Sequence, residues 1–272
     1  DLILTAMFAG GHVLIEGVPG IAKTLTAKLV AKLVDSEFKR IQFTPDLMPS
    51  DVLGTSIFNP KNSAFEYKQG PIFSNLVLID EINRAPAKTQ ASLFEVMEEK
   101  QVTNDGTTYK LEDLFMILAT QNPIEQEGTY RLPEAQLDRF IFKIVVDYPE
   151  IADETQLLQM VNANTTHHKL SFISSVISKK EIVDIRNSLD RILMNHPSLY
   201  LGASPRASID LLKASKAFAA INGRDFVTPE DIKRLFRPVV EHRVLLSPEA
   251  ELQGMTVREI TEQIMTQVEV PK

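Results

Sequence analysis

The chain has no cysteine, which removes disulfide staples, thiolate metal sites and cysteine nucleophiles together. No apolar run is long enough to span a bilayer, and the first residues lack a basic segment followed by a signal-like apolar core. Positive charge is also in short supply, with 29 Lys and Arg against 36 Asp and Glu for a net charge of −7. That balance argues against a nonspecific nucleic-acid binder, which usually carries a basic footprint, although it leaves room for a local basic pore. These absences make the cytoplasm the expected compartment. What is present is ordinary: 272 residues, 44% of them hydrophobic, enough for one large domain or two with a proper core. Leu2, Ile3, Ala6, Met7 and Phe8 form a helical face that starts without a cap, so a segment ahead of Asp1 is expected.

The most informative stretch is Gly17-Val18-Pro19-Gly20-Ile21-Ala22-Lys23-Thr24, set between the apolar run His12 to Ile15 and a helix-forming run from Leu25. A strand, a glycine-containing loop and a helix in that order are the context a phosphate-binding loop requires. Its backbone N–H groups point at phosphates, Lys23 adds a mobile positive charge, and the Thr24 hydroxyl is placed to ligate magnesium. Ala22 stands where the formal G-x-x-x-x-G-K-[ST] pattern has its second glycine. Glycine is required there only for positive φ or a very close phosphate, so the match survives.

β-type runs recur at Val13 to Ile15, Arg40 to Phe43, Leu76 to Ile79, Phe115 to Leu118 and Phe142 to Val146, with helical or irregular stretches between. Such alternation predicts a parallel α/β sheet. Ala22, Leu25, Leu29 and Leu33 are expected to pack the first long helix onto it, with Lys28 and Lys32 in water. A second helix is expected from about Pro86 to Glu98, buried through Ala91, Phe94 and Met97. Between Phe43 and Phe73, Pro45, Pro49, Gly54, Pro60, Gly70 and Pro71 break any long element, and the excursion is too long for a simple connection. Asn104-Asp105-Gly106, flanked by Gln101 to Thr103 and Thr107 to Tyr109, signals a hairpin whose tip should project outward.

The run Leu76 to Ile79 ends in Asp80-Glu81. Two acids at a strand's carboxyl end are costly unless they meet a cation or polarise water. With a phosphate loop upstream they acquire roles: Asp80 holds magnesium, directly or through water, and Glu81 orients a hydrolytic water. Asn122 follows another strand, where Pro123 imposes an extended or turn conformation, and could sense a γ-phosphate. Arg139 precedes the last strand with a permanently ionised, forked donor. Beyond Tyr148-Pro149-Glu150 the pattern is helical, with capping boxes at Ser178/Glu181 and Thr256/Glu259 and a helix start at Thr228-Pro229. His167-His168 lacks a carboxylate partner and reads as exposed loop. Ser204 reads as an N-cap with Pro205 as first helical residue, which puts Arg206 at the wrong end of a helix dipole unless it meets an anion.

Together these residues resemble a AAA+ ATPase over nearly the whole chain: Gly17 to Thr24 as Walker A with Leu25 following, Leu76 to Glu81 as Walker B, Asn122 as sensor 1, Arg139 as arginine finger and Arg206 as sensor 2. The strings GVPGIAKT, FTPDLMPSD, DEINRAPAKTQASLFEVMEEKQV, ATQNPIEQEGTY and LPEAQLDRF are similar to the MoxR family, which often carries Ala before the Walker lysine. Arg131 departs from it, since relatives usually have proline there. The resemblance implies an α/β P-loop core over residues 1–149, a parallel five-stranded sheet flanked by helices, with a C-terminal all-helical lid over 150–272. It makes the excursion, about 44–73, a helix-2 insert and the hairpin, about 99–112, a pre-sensor-1 hairpin. Further implications are ATP and Mg2+ as cofactors, a homo-hexamer with nucleotide between subunits, protein clients and a von Willebrand factor A domain partner. Arg84 is a second candidate for a contact to a neighbour. An MCM-like nucleic-acid motor, a magnesium-chelatase-like subunit and a nucleotide-gated binding module are the alternatives.

Overall fold

The computed structural model describes residues 1–17, 23–122, 130, 132–146, 153, 205–246, 255–259 and 261–262. Five strands form one sheet: β1 (Val13–Gly17), β2 (Phe38–Gln42), β5 (Leu76–Asp80), β8 (Met116–Gln121) and β9 (Phe142–Val146), in the order β2-β5-β8-β1-β9. All its pairings are parallel, as the alternation predicts. Every residue of β5 is buried, as expected of a strand covered on both faces. Side-chain alternation sends Leu14, Val77, Ile79, Phe115 and Ile117 to one apolar cluster and Val13, Ile15, Leu76, Leu78 and Met116 to another. The first cluster is covered by α4 (Ala87–Glu99), the second by α1 (Leu2–Ala9) and α2 (Lys23–Leu33).

In α2 the buried face differs from the one read from spacing, and in α4 it keeps Phe94 and Met97 but not Ala91. In α2 the buried positions are Ala27, Val30 and Ala31, while Leu25, Leu29 and Leu33 are only half-buried. Two alanines let the helix axis approach the sheet, and the larger leucines flank that line of contact. Lys28 is exposed and Lys32 half-buried. In α4, Ala91 is exposed, and the buried stripe is Leu93, Phe94, Val96 and Met97 with Thr89 and Gln90. The two polar residues satisfy loop carbonyls: Thr89 Oγ1 donates to Leu47 O at 2.7 Å, and Gln90 Nε2 to Ile82 O at 3.2 Å and Ala85 O at 3.1 Å. Pro86 is the N-cap, so the helix begins at Ala87.

The proline-rich excursion is a short helix, α3 (Pro49–Leu53), and an antiparallel hairpin of β3 (Gly54–Asn59) and β4 (Ala64–Gln69). It closes on itself where a Cβ on Gly70 would lie 2.3 Å from Val52 O, and Gly54 takes φ +114°. The predicted second hairpin is β6 (Gln101–Asn104) with β7 (Thr107–Lys110), and Asp105 and Gly106 both have positive φ at its turn. Its tip does not project freely. Ser56 Oγ donates to Asp105 Oδ2 at 2.5 Å, Asn104 Nδ2 donates to Ser56 Oγ at 2.7 Å, and Tyr67 stacks on Tyr109 at 4.3 Å. Like chemistry on the two hairpins joins them, which spacing along one strand cannot reveal.

Toward the C-terminus, α6 (Pro205–Ile221) and α7 (Pro229–Val240) lead into a 3-10 turn, Glu241–Arg243. Ala214, Ala217, Phe218, Leu235 and Val239 join the apolar cluster of α1 and the sheet. Thr228 caps α7 reciprocally with Asp231, and Thr256 pairs likewise with Glu259. The loop Val18 to Ala22, Pro123, Arg131, the Tyr148–Glu150 boundary, His167-His168, the Ser178/Glu181 box and Ser204 lie outside the described residues. α5 (Glu134–Leu137) precedes the turn carrying Asp138, Arg139 and Phe140. The 3-10 turn docks there, with His242 Nε2 2.9 Å from Phe140 O.

Burial, then the charge of Arg243, pushes the His242 imidazole down to about 3 from its ordinary 6.5. The unfolded chain therefore takes up this proton first, so stability contributed here is lost as pH falls below about 6.5. Thermal midpoints measured from pH 7 to pH 4 should decline, and His242→Gln, which keeps a donor for Phe140 O, should flatten part of that decline. An unchanged pH profile in the variant contradicts the assignment.

Candidate functional site

Parallel pairing brings the ends of β1, β5 and β8 to one edge of the sheet. Gly17 ends β1, Asp80 ends β5, and Asn122 follows β8 between them. Lys23 and Thr24 open α2 on this edge, and the first turn of that helix carries no acid to compete with a bound anion. Lys23 Nζ donates to Gly17 O at 2.7 Å. Burial pushes the Lys23 ammonium below the usual lysine range, while Asp80 and Glu81 pull it back up. Lysine, hydroxyl and both carboxylates are thus assembled from two strands and one helix.

The carboxylates sit in a closed hydrogen-bond ring that includes residues the sequence did not single out. Asp80 is buried and accepts from Arg40 Nε at 2.6 Å and from Thr120 Oγ1 at 3.1 Å. The same Thr120 hydroxyl accepts the Glu81 N–H at 3.0 Å. Gln42 Nε2 donates to Glu81 Oε2 at 2.7 Å, and Arg40 Nη2 donates to Gln42 Oε1 at 3.2 Å. Arg84 adds an ion pair to Glu81 at 3.2 Å, so within one chain it faces this carboxylate. Glu81 has φ 58° and ψ 52°, a left-handed conformation that costs a non-glycine residue roughly 1–2 kcal/mol. Arg40 and Gln42 share one face of β2, two residues apart, and only the register Gln42↔Asp80 brings them to the acids.

The two arginines proposed for catalysis are elsewhere. Arg139 pairs with Glu98 at 2.9 Å through Nη2, and Arg206 Nη2 pairs with the other oxygen of Glu98 at 2.6 Å. Hydrogen bonds from Arg206 and then Arg139 hold the Glu98 carboxyl below its usual range. Arg206, at the positive end of α6, therefore meets the anion its position demands. Glu98 is at the carboxyl end of α4, next to Met97, whose carbonyl lies 3.2 Å from Nε2 of buried His12. His12 precedes β1 and accepts the Ile117 N–H on Nδ1 at 3.0 Å, so this cluster is on the amino edge of the strands. At about 3.3 Å per residue, the five residues of β1 put the two clusters on the order of 15 Å apart.

This arrangement has close counterparts. Residues 12–142 match the family model for the ATPase family associated with various cellular activities, and residues 191–264 match a AAA lid domain. The chain is 38% identical to Chaperone MoxR1 of Mycobacterium tuberculosis, over 100% of this chain and 78% of that protein. It belongs to the MoxR family of AAA ATPases. It is also 45% identical to the uncharacterized protein YeaC of Bacillus subtilis, over 99% of this chain and 88% of that protein. A crystal structure from Cytophaga hutchinsonii, of a protein assigned as an ATPase, superposes with a TM-score of 0.86 at 43% identity, covering 99% of this chain and 88% of that one.

A MoxR-family ATPase binds nucleotide, and the carboxyl edge fits that requirement. Magnesium is usually held by one or two carboxylates together with phosphate oxygens rather than by an all-protein cage. Thr24 and Asp80 suit such a site, and among the described residues no cluster of three or more His, Cys, Asp or Glu competes with them. Thr120→Val tests the ring directly. It removes a hydrogen bond from Asp80 and strands the Glu81 N–H, and should cost about 1–3 kcal/mol in denaturant unfolding along with a drop in turnover. Wild-type stability and turnover in that variant would exclude a structural role for the ring.

Proposed function

We propose that the chain is a subunit of a ring-shaped, ATP-driven chaperone that remodels or matures protein complexes, each ATP lying between neighbouring subunits. The observation that supports it is the separation of the two charge clusters. Arg139 and Arg206 are on the opposite sheet edge from Lys23, Asp80 and Glu81. A second copy can supply them to that site.

In this reading Gly17 to Leu25 hold the triphosphate, with Lys23 on the β- and γ-phosphates, and Thr24 and Asp80 hold Mg2+. When bound, the ion offsets charge on the phosphate oxygens. Glu81, released from Gln42 and Arg84, orients water for in-line attack and takes its proton. The bond from γ-phosphorus to the bridging oxygen breaks, and ADP leaves with that electron pair. Asn122 meets the γ-phosphate, and a neighbour's Arg139 offsets the charge that develops. Arg206, sharing Glu98 with Arg139, belongs with that trans contribution rather than with its own subunit's phosphates.

Six subunits, a von Willebrand factor A domain partner, protein clients and a cytoplasmic setting complete the proposal. No helix among the described residues is long and apolar enough to cross a membrane. The β6–β7 turn carries Asp105 at its tip, which disfavours the alternative of a motor gripping nucleic-acid phosphates.

Glu81→Gln should keep nucleotide affinity and lose roughly a hundredfold or more in turnover. Unchanged hydrolysis removes the water-orienting role. Arg139→Ala should cost roughly a thousandfold when an arginine acts in trans. Mixing Arg139→Ala with Glu81→Gln subunits should recover activity, because one supplies a live site and the other an intact arginine. Full activity of Arg139→Ala alone excludes the trans assignment.

A further inference from the structure

The proposed chemistry leaves unused a deeply buried charged group. Arg243 ends the 3-10 turn after α7, and its side chain is only 1% exposed. A cation that deep is costly unless anions and carbonyls surround it, and here they gather on one side, since Nη1 makes no hydrogen bond among the described residues. Its Nη2 donates to Asp138 O at 3.0 Å, to Phe140 O at 2.9 Å and to Asp210 Oδ2 at 2.6 Å, and Nε lies 3.2 Å from Asp138 Oδ1. The two backbone carbonyls are those of the residues on either side of Arg139. Asp210 lies one helical turn beyond Arg206 on α6. Arg206 itself reaches Asp138 at 3.8 Å as well as Glu98. Burial pushes the Asp210 carboxyl up even though Arg243 opposes it, as expected of a pair withdrawn from water. Nothing in this set touches Lys23, Asp80 or Glu81.

We infer that Arg243 is a positioning residue for Arg139: clamped between Asp210 of α6 and the carbonyls of Asp138 and Phe140, it ties the C-terminal helices to the turn that presents Arg139 to a neighbouring subunit. The geometry suits guanidinium rather than ammonium. Nη2 alone meets both carbonyls and Asp210 while Nε, a second and rigidly linked nitrogen, faces the Asp138 carboxylate, whereas a lysine is a single point donor that can keep the first set but cannot also reach Asp138 Oδ1. Movement of α6 and α7 in one subunit thereby changes the arginine it offers, and the state of one site reaches the next around the ring. Glu98 supplies the resting position, accepting Arg139 on one oxygen and Arg206 on the other. The inference rests on the reading that Arg139 acts in trans, and its test separates the two.

Arg243→Lys and Asp210→Asn are compared with Arg139→Ala for turnover, KM for ATP, affinity for a fluorescent ATP analogue and thermal midpoint. The expected result is a kcat at least tenfold lower in Arg243→Lys, with KM and nucleotide affinity within twofold of wild type. Mixing Arg243→Lys with Glu81→Gln subunits should restore much of that loss, because the Glu81→Gln subunit brings a correctly held Arg139. Mixing with the Glu81→Gln/Arg139→Ala double variant should restore nothing. A purely structural role would lower the activity of the variant's own site, which no neighbour can rescue, so failure of rescue overturns the inference. Wild-type kcat in Arg243→Lys alongside an inactive Arg139→Ala overturns it too, leaving the trans reading intact. Full activity in Arg139→Ala overturns both. If Arg243→Lys loses its cooperative melt, Asp210→Asn, which leaves Arg243 on the carbonyls but weakens its hold on α6 by removing the charge, is judged by the same mixing outcomes.

Discussion

A parallel sheet has polarity, and that constraint governs the chemistry of this molecule. All five strands run the same way, so every carboxyl end faces one edge and every amino end the other. Loops at the carboxyl edge gather Gly17, Lys23, Asp80 and Asn122 from three strands and one helix. The amino edge gathers His12, the end of α4 and the turn before β9, and therefore Glu98, Arg139 and the C-terminal helices that dock there. No side chain is long enough to cross from one edge to the other. A site that needs both sets of groups has to be completed by another copy, and assembly becomes part of the proposed chemistry.

Each edge solves the problem of holding charge in a partly dry place. On the carboxyl edge, Asp80 and Glu81 are close enough to repel each other, and Arg40, Gln42, Thr120 and Arg84 share the load in a ring of hydrogen bonds and ion pairs. The left-handed backbone at Glu81 is the strained point, and it turns that carboxylate out of the strand while Asp80 stays in. On the amino edge one carboxylate, Glu98, holds two arginines, and a buried third arginine grips the backbone on either side of Arg139. Both arrangements store groups in positions they would leave during the proposed cycle. The contacts that hold them are side-chain hydrogen bonds, which exchange more readily than packed apolar surface.

The two hairpins illustrate a different economy. Each is small and strongly exposed, and a lone hairpin is marginal in water. Ser56, Asn104 and Asp105, with the Tyr67–Tyr109 stack, join them, so the excursion and the second hairpin support one another. Phe58 and Phe65 remain 50% and 73% exposed beyond that junction, in edge-to-face contact with each other.

Read alone, the chain shows the five strands of the main sheet, though β2 begins two residues earlier than its apolar run, their parallel arrangement, the hairpin turn at Asp105-Gly106 and the residues of the carboxyl edge, but not the β3–β4 hairpin. All of these rest on local chemistry: apolar runs of strand length, turn residues with positive φ, a loop that opens a helix, and acids at a strand end. Tertiary structure decided what depends on register and approach. Ala27 and Ala31 rather than the α2 leucines face the sheet because small side chains permit close contact, a matter of shape that periodicity does not weigh. Arg40, Gln42 and Thr120 join the acids only because β2 and β8 flank β5 in one particular register. Arg206 was legible as a helix-start cation in need of an anion, but that the anion is Glu98, shared with Arg139, follows from helices far apart in the chain meeting at one edge. Arg243 gave no signal at all, since an arginine at a helix end ordinarily reads as a solvated cap. Only folding withdraws it from water and sets it on the carbonyls around Arg139.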